Sequence, residues 1–121
     1  MTTSAEPRPV PFDTADGRDD SGLTAASAAE LLDLLDDAYS RDILVSLAGA
    51  PDTAAGLAAD CDCSRPTVYR RLNRLAAAGA VDTSVRYDAD GHHRQVYRLR
   101  LDRLTVELSS GGCTVRVETV E

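Results

Sequence analysis

An α+β fold follows from three features of this chain. Apolar residues recur at helical spacing from about position 25 to position 78, Gly79 interrupts that spacing, and a period of two takes over for the remaining residues. Two turn-rich stretches, DADGHH at 88–93 and SSGG at 109–112, divide the alternating part into two hairpins.

The elements follow in order. The stretch 1–22 is rich in Pro, Asp, Thr and Gly and has no periodicity, so positions 1–24 are expected to be a disordered acidic tail. A first helix is expected from Ala25 or Ser27, with Leu31, Leu32, Leu34 and Leu35 as its apolar stripe. Asp33, Asp36 and Asp37 read most simply as the wet side of that helix. Ser40 is expected to cap a second helix that runs to about Ala48 and turns Ile43, Leu44 and Leu47 inward. Gly49 to Asp52 breaks the pattern, because Pro51 cannot donate a backbone bond. Thr53 to Asp60 forms a short third helix burying Ala54, Leu57 and Ala58, and a tight turn at Asp60–Cys63 leads to Ser64.

Ser64 is an N-cap residue and Pro66 falls in the first turn, where a missing N–H costs little. Val68, Leu72 and Leu75 then recur at i, i+4 and i+7 and make one stripe of a fourth helix. Residues 64–78 span about 22 Å, enough to lie across a major groove. Beyond Gly79, strands are expected at Val81, Ser84–Tyr87 and Gln95–Leu101, then at Leu104–Leu108 and Cys113–Val120. Three helices, a recognition-type helix and a hairpin describe a winged helix-turn-helix at 25–103, with a C-terminal β-hairpin extension at 104–121. Its helical core is expected to comprise Leu31, Leu34, Leu35, Ile43, Leu44, Leu47, Leu57, Val68, Leu72 and Leu75.

Charge is unevenly distributed. The 13 basic residues are all arginine, and the 20 acids comprise 15 Asp and 5 Glu. Residues 1–60 hold 12 acids and 3 bases, net −9, whereas residues 61–104 hold 5 acids and 9 bases, net +4. The segment 105–121 adds a net −2. A lysine-free, aspartate-heavy, alanine-rich balance resembles that of proteins from extreme halophiles, where screening over about 3 Å makes an acidic surface tolerable. No apolar run approaches the length of a membrane span, and the N-terminus lacks the pattern of a secretory signal, so a cytoplasmic location is expected.

The fourth helix carries the positive island. Opposite its apolar stripe stand Pro66, Tyr69, Arg70 and Asn73, flanked by Thr67, Arg71 and Arg74, and no Asp or Glu occurs from Ser64 to Ala80. Arginine grips guanine O6 and N7 in a bidentate fork, and asparagine does the same for adenine N6 and N7. Arg70 and Asn73 are therefore expected to face base edges, with Thr67 and Tyr69 beside them and Ser64 and Pro66 opening the helix. Arg65, Arg71 and Arg74 are expected to meet phosphates. A solvated charged face is the plainer alternative, but it lacks acidic partners within the helix.

The segments SRDILVSLAGAP (40–51), TAAGLAADCDCSRPTVYRRLNRLAAAGAV (53–81) and RYDADGHHRQVYRLRLDRL (86–104) resemble archaeal helix-turn-helix regulators of the ArsR-like winged-helix superfamily, in particular the haloarchaeal versions. The resemblance covers more than half the chain. It implies sequence-specific binding of double-stranded DNA and transcriptional regulation, usually by a homodimer. Many arsenic-sensing relatives end in a dimerisation helix, whereas this chain ends in strands.

Other candidate sites are weaker. Arg86, His92, His93 and Arg94 cluster at the tip of the first hairpin, where a wing would reach a minor groove or flanking phosphates. His92 and His93 are adjacent on a strand and point to opposite faces, which argues against a shared metal. Cys61 and Cys63 form a C-x-C in the turn of the helix-turn-helix, where cysteine serves as a small hydrophobe. The alternative is a metal or redox sensor. No phosphate loop, nucleophile elbow or HExxH motif is present, so neither catalysis nor a cofactor is expected. A second copy of the chain is an expected partner, through the first helix or the C-terminal hairpin, because one recognition helix covers only a half-site. A protein-interaction module contacting the transcription machinery is the competing function.

Overall fold

The computed structural model describes residues 12–14 and 25–120. The described elements are β1 (Phe12–Thr14), α1 (Ala25–Leu35), α2 (Ala38–Gly49), β2 (Asp52–Thr53), α3 (Ala54–Asp60), α4 (Arg65–Ala77), β3 (Val81–Tyr87), β4 (His93–Leu99), β5 (Leu101–Ser109) and β6 (Gly112–Thr119). The fold is α+β, with the helices first and two three-stranded sheets, ordered β2-β4-β3 and β1-β6-β5. No described helix is long and apolar enough to cross a membrane.

Each helix boundary has a local cause. Asp37, not Ser40, caps α2: its carboxylate accepts from the Ser40 amide at 2.9 Å and the Ser40 hydroxyl at 3.0 Å. Ser40 is fully buried, and its bond to Asp37 satisfies its hydroxyl there. Thr53 caps α3 by accepting from the Gly56 amide at 3.1 Å, and Ser64 caps α4 by accepting from the Thr67 amide at 3.4 Å. Helix α4 ends in a Schellman turn. Gly79 adopts φ 84°, the Ala80 amide donates to the Leu75 carbonyl at 2.8 Å, and the Gly79 amide donates to the Ala76 carbonyl at 3.1 Å.

One core runs under all four helices. Leu31, Leu34, Ile43, Leu57, Val68, Leu72 and Leu75 are buried essentially completely, with Leu44 and Leu47 beside them. Leu35 is only half-buried and packs on the margin. The sheets extend this core through Val81, Tyr97 and Leu101. Residues of this size at complete burial contribute about 1.5–3 kcal/mol each, so the four-helix packing fixes where α4 points.

Three expectations about boundaries change. Phe12–Thr14, assigned from sequence to a disordered tail, form a strand parallel to β6, with Phe12 opposite Cys113 and Thr14 opposite Val115. The rest of the expected 1–24 tail lies outside the described residues. Asp52–Thr53 add a two-residue strand to β4. The second hairpin starts at Leu101 rather than Leu104, because the Arg100 and Leu101 amides both donate to the Ala80 carbonyl, at 2.8 and 3.1 Å.

Candidate nucleic-acid interface

Helices α3 and α4 are joined by a turn in which Asp62 takes φ 50°, a left-handed conformation that a short polar side chain tolerates. The Cys61 amide donates to the Leu57 carbonyl at 2.9 Å and the Cys63 amide to the Ala58 carbonyl at 3.0 Å, so the turn closes tightly. Val68, Leu72 and Leu75 anchor the inner face of α4. Arg65, Pro66, Tyr69, Arg70 and Asn73 are exposed on the outer face, and Thr67 is half-buried beside them.

The N-terminal turn of α4 is internally connected. The Ser64 hydroxyl donates to Thr67 Oγ1 at 2.9 Å, and Arg70 Nη2 donates to the same oxygen at 3.4 Å. Arg70 and Arg65 have no acidic partner among the described residues, which leaves both guanidinium groups available to an anion or a base edge. Tyr69 is 47% exposed and offers a ring face and a hydroxyl on the same side.

Arg71 and Arg74 differ. The helix contains no acid of its own, yet both arginines are paired with acids from α1 and the α2 cap. Arg71 Nε donates to Asp37 at 2.8 Å. Arg74 Nε donates to Glu30 at 2.7 Å, and its Nη2 donates to Asp33 at 2.8 Å. Both are expected from sequence to meet phosphates; in the structure their guanidinium groups are engaged by these acids. Glu30, Asp33 and Asp37 form a row running antiparallel to Arg71 and Arg74. The Arg71 bond is the main cause that lowers the Asp37 carboxyl from its ordinary 3.8 to about 2, with the Ser40 bonds adding to it against partial burial. Asp37 correspondingly raises Arg71 above the ordinary arginine value. Sequence alone shows Asp33 and Asp37 only as the wet side of a helix. Their partners lie 34 and 41 positions further along the chain, so no local signal marks this role.

At the wing tip, residues 88–92 connect β3 to β4 through a type I turn followed by a bulge. The Gly91 amide donates to the Asp88 carbonyl at 3.0 Å, the Asp88 amide donates to the His92 carbonyl at 2.9 Å, and Gly91 takes φ 86°. Arg86 and Arg94 sit directly opposite each other in the ladder, a pairing that like charges disfavour. Asp88 relieves it by bonding Arg94 at 2.7 Å and approaching Arg86 at 3.4 Å. His92 Nδ1 lies 2.9 Å from Asp90, and the His93 ring meets Tyr87 edge-on at 4.5 Å. The bond from His92 lowers the Asp90 carboxyl. All four expected wing residues are exposed and close together, but no hydrogen bond or ion pair joins them to α4 among the described residues.

Cys61 and Cys63 are half-buried against the core. Burial, then the neighbouring acids Asp42 and Asp60, pushes the Cys61 thiol above its ordinary value, which disfavours the thiolate that metal binding requires. Among the described residues no group of three or more His, Cys, Asp or Glu is arranged to hold a metal.

A tight turn between two helices, the second stripped of acids and set against the core by the first two helices, is the geometry of one motif. Residues 35–84 match a helix-turn-helix domain. The match spans α2 to the middle of β3, so it contains the whole of α4. No curated protein matches the chain. Beyond the match, β4 joins β2 and β3 in the three-stranded wing sheet.

Proposed function

We propose that this protein is a sequence-specific double-stranded DNA-binding transcriptional regulator of the haloarchaeal, ArsR-like kind, acting by binding and not by catalysis. The observation that carries this reading is the outer face of α4, where Arg70, Asn73, Tyr69 and Arg65 are exposed and have no acidic partner among the described residues, while the rest of the chain is acidic. Helix α4 enters the major groove from its N-terminal end. Arg70 and Asn73 read base edges, and Ser64, Arg65, Pro66 and Thr67 approach the backbone. Arg71 and Arg74 act as positioning residues: by holding the acids of α1 and α2 they set the angle of the reading helix. Arg86, His92, His93 and Arg94 on the wing meet flanking phosphates or the minor groove. A homodimer presents two such helices to a two-fold operator.

The test is fluorescence anisotropy of a labelled duplex from the protein's own upstream region, against scrambled duplex, in molar KCl. Wild type and an Arg70→Ala/Asn73→Ala variant are compared. Discrimination between sequences that disappears in the variant supports a DNA reader. If wild type binds neither this duplex nor pooled genomic fragments, the domain is instead a protein-interaction module.

A further inference from the structure

The C-terminal hairpin is strongly two-faced. In its ladder Leu104 faces Val117, Val106 faces Val115 and Leu108 faces Cys113, whereas Arg103 faces Glu118, Thr105 faces Arg116 and Glu107 faces Thr114. Cys113 and Val115 on β6 are buried, but Val106 is 42% and Leu108 79% exposed on β5. Strand β5 is also an edge. Its only strand neighbour among the described residues is β6, and no backbone bond outside that ladder involves residues 102–109.

Ser109 and Gly112 flank a two-residue loop and so form a hydrogen-bonded pair. Counting back, Glu107, Thr105 and Arg103 bond to β6, while Leu108, Val106 and Leu104 turn their N–H and C=O groups to the open edge. A long edge with exposed apolar side chains and unpaired amides is a template for another strand. Helix α1, the other candidate dimer surface, has Ala28, Leu31 and Leu34 buried in the core and Glu30 and Asp33 engaged with Arg74.

We infer that β5 pairs antiparallel with β5 of a second copy about a two-fold axis at Thr105, joining the two hairpins into one continuous sheet. Charge selects this register. With Thr105 opposite its own copy, Arg103 of each chain faces Glu107 of the other, twice over, and Leu104 faces Val106. A two-residue slip to either side places Arg103 opposite Ser109 or Thr105 and loses both ion pairs. The irregularity between Leu101 and Arg103 ends the pairing at the other side. Within one chain the same groups are only loosely engaged, Arg103 with Glu118 and Glu107 with Arg116, each at 3.7 Å. This inference names the surface behind the homodimer proposed above, but the association itself needs no DNA, so it is tested separately.

The experiment is sedimentation equilibrium of the full chain without DNA, at the lowest salt that leaves its circular dichroism native. Wild type is expected at twice the chain mass. Arg103→Glu and Glu107→Arg, each alone, place like charges opposite each other twice and are expected at the monomer mass. An equimolar mixture of the two restores both opposite-charge pairs and is expected to return to the dimer mass, which a folding defect would not do. Val106→Pro removes an outward N–H without touching the β5–β6 ladder and is expected to be monomeric. A monomeric wild type overturns the inference. So does a dimer that survives Val106→Pro, or a mixture that stays monomeric.

Discussion

The Asp37–Arg71 bond holds α4 with a strength that can be worked from its geometry. Asp37 caps α2 and at the same time accepts from Arg71 at 2.8 Å. Holding its carboxyl at about 2 instead of 3.8 corresponds to about 2.4 kcal/mol at neutral pH. With the two side chains 29% and 24% exposed, solvent screening reduces this to about 1–1.5 kcal/mol. Asp37→Asn keeps a good N-cap and removes the charge, so it is expected to lose that amount. Asp37→Ala removes the cap as well and is expected to lose about 1 kcal/mol more. The sign follows from the direction of the shift. Because the folded value is depressed, the stabilisation is complete above about pH 5 and fades as pH falls towards 2. Urea denaturation of wild type and Asp37→Asn should therefore show a gap at pH 7 that narrows steadily below pH 4. A gap as wide near pH 2.5 as at pH 7, or none at pH 7, would refute the assignment of this stabilisation to the charge.

Further expectations concern the same scaffold. Arg70→Ala should weaken binding to a cognate duplex by about 1–3 kcal/mol and relax one base position, with a thermal midpoint close to wild type because Arg70 is exposed. Arg71→Ala should instead lower the thermal midpoint, since it leaves Asp37 without its partner. Leu72→Ala empties a fully buried site in α4 and should cost about 2–5 kcal/mol in chemical denaturation. Asp88→Asn frees Arg86 and Arg94 at the wing tip. Duplex binding should become tighter and its log–log salt slope steeper, by about one per phosphate newly contacted.

The helices are legible in the sequence because their signals are local. Leu-rich spacing, Thr53, the cap Ser64 and Gly79 place α1, α3 and α4 closely, whereas α2 begins three residues earlier than a cap at Ser40 would give. The Asp90-Gly91 turn and the alternation around it specify the wing for the same reason. What escapes depends on partners distant in sequence. Phe12–Thr14 carry no strand pattern and become a strand only because β6, at the far end of the chain, accepts them. Tyr97 is buried because α2 and α3 pack against β4, which alternation alone does not reveal. The outer face of α4 is readable residue by residue. The division of its arginines into exposed Arg65 and Arg70 and tethered Arg71 and Arg74 is not, since the tethers lie on elements well before α4 in the chain. Ser40 and Asp37 illustrate a smaller ambiguity: both are cap residues three apart, and the one that also reaches Arg71 takes the role.

The junction at Arg100 has a mechanical consequence. A single residue separates β4 from β5, and the carbonyl of Ala80, one residue past the glycine that ends α4, receives the amides of both Arg100 and Leu101. The hairpin is thus geared to α4 with no slack between them. Any second copy held on β5 would fix the distance and rotation between the two α4 helices through the fold itself. An operator lengthened by one base pair shifts its half-sites by about 3.4 Å and about 35°. A joint this short gives little to absorb that mismatch, so a dimer joined on β5 would discriminate operators by the gap between their half-sites.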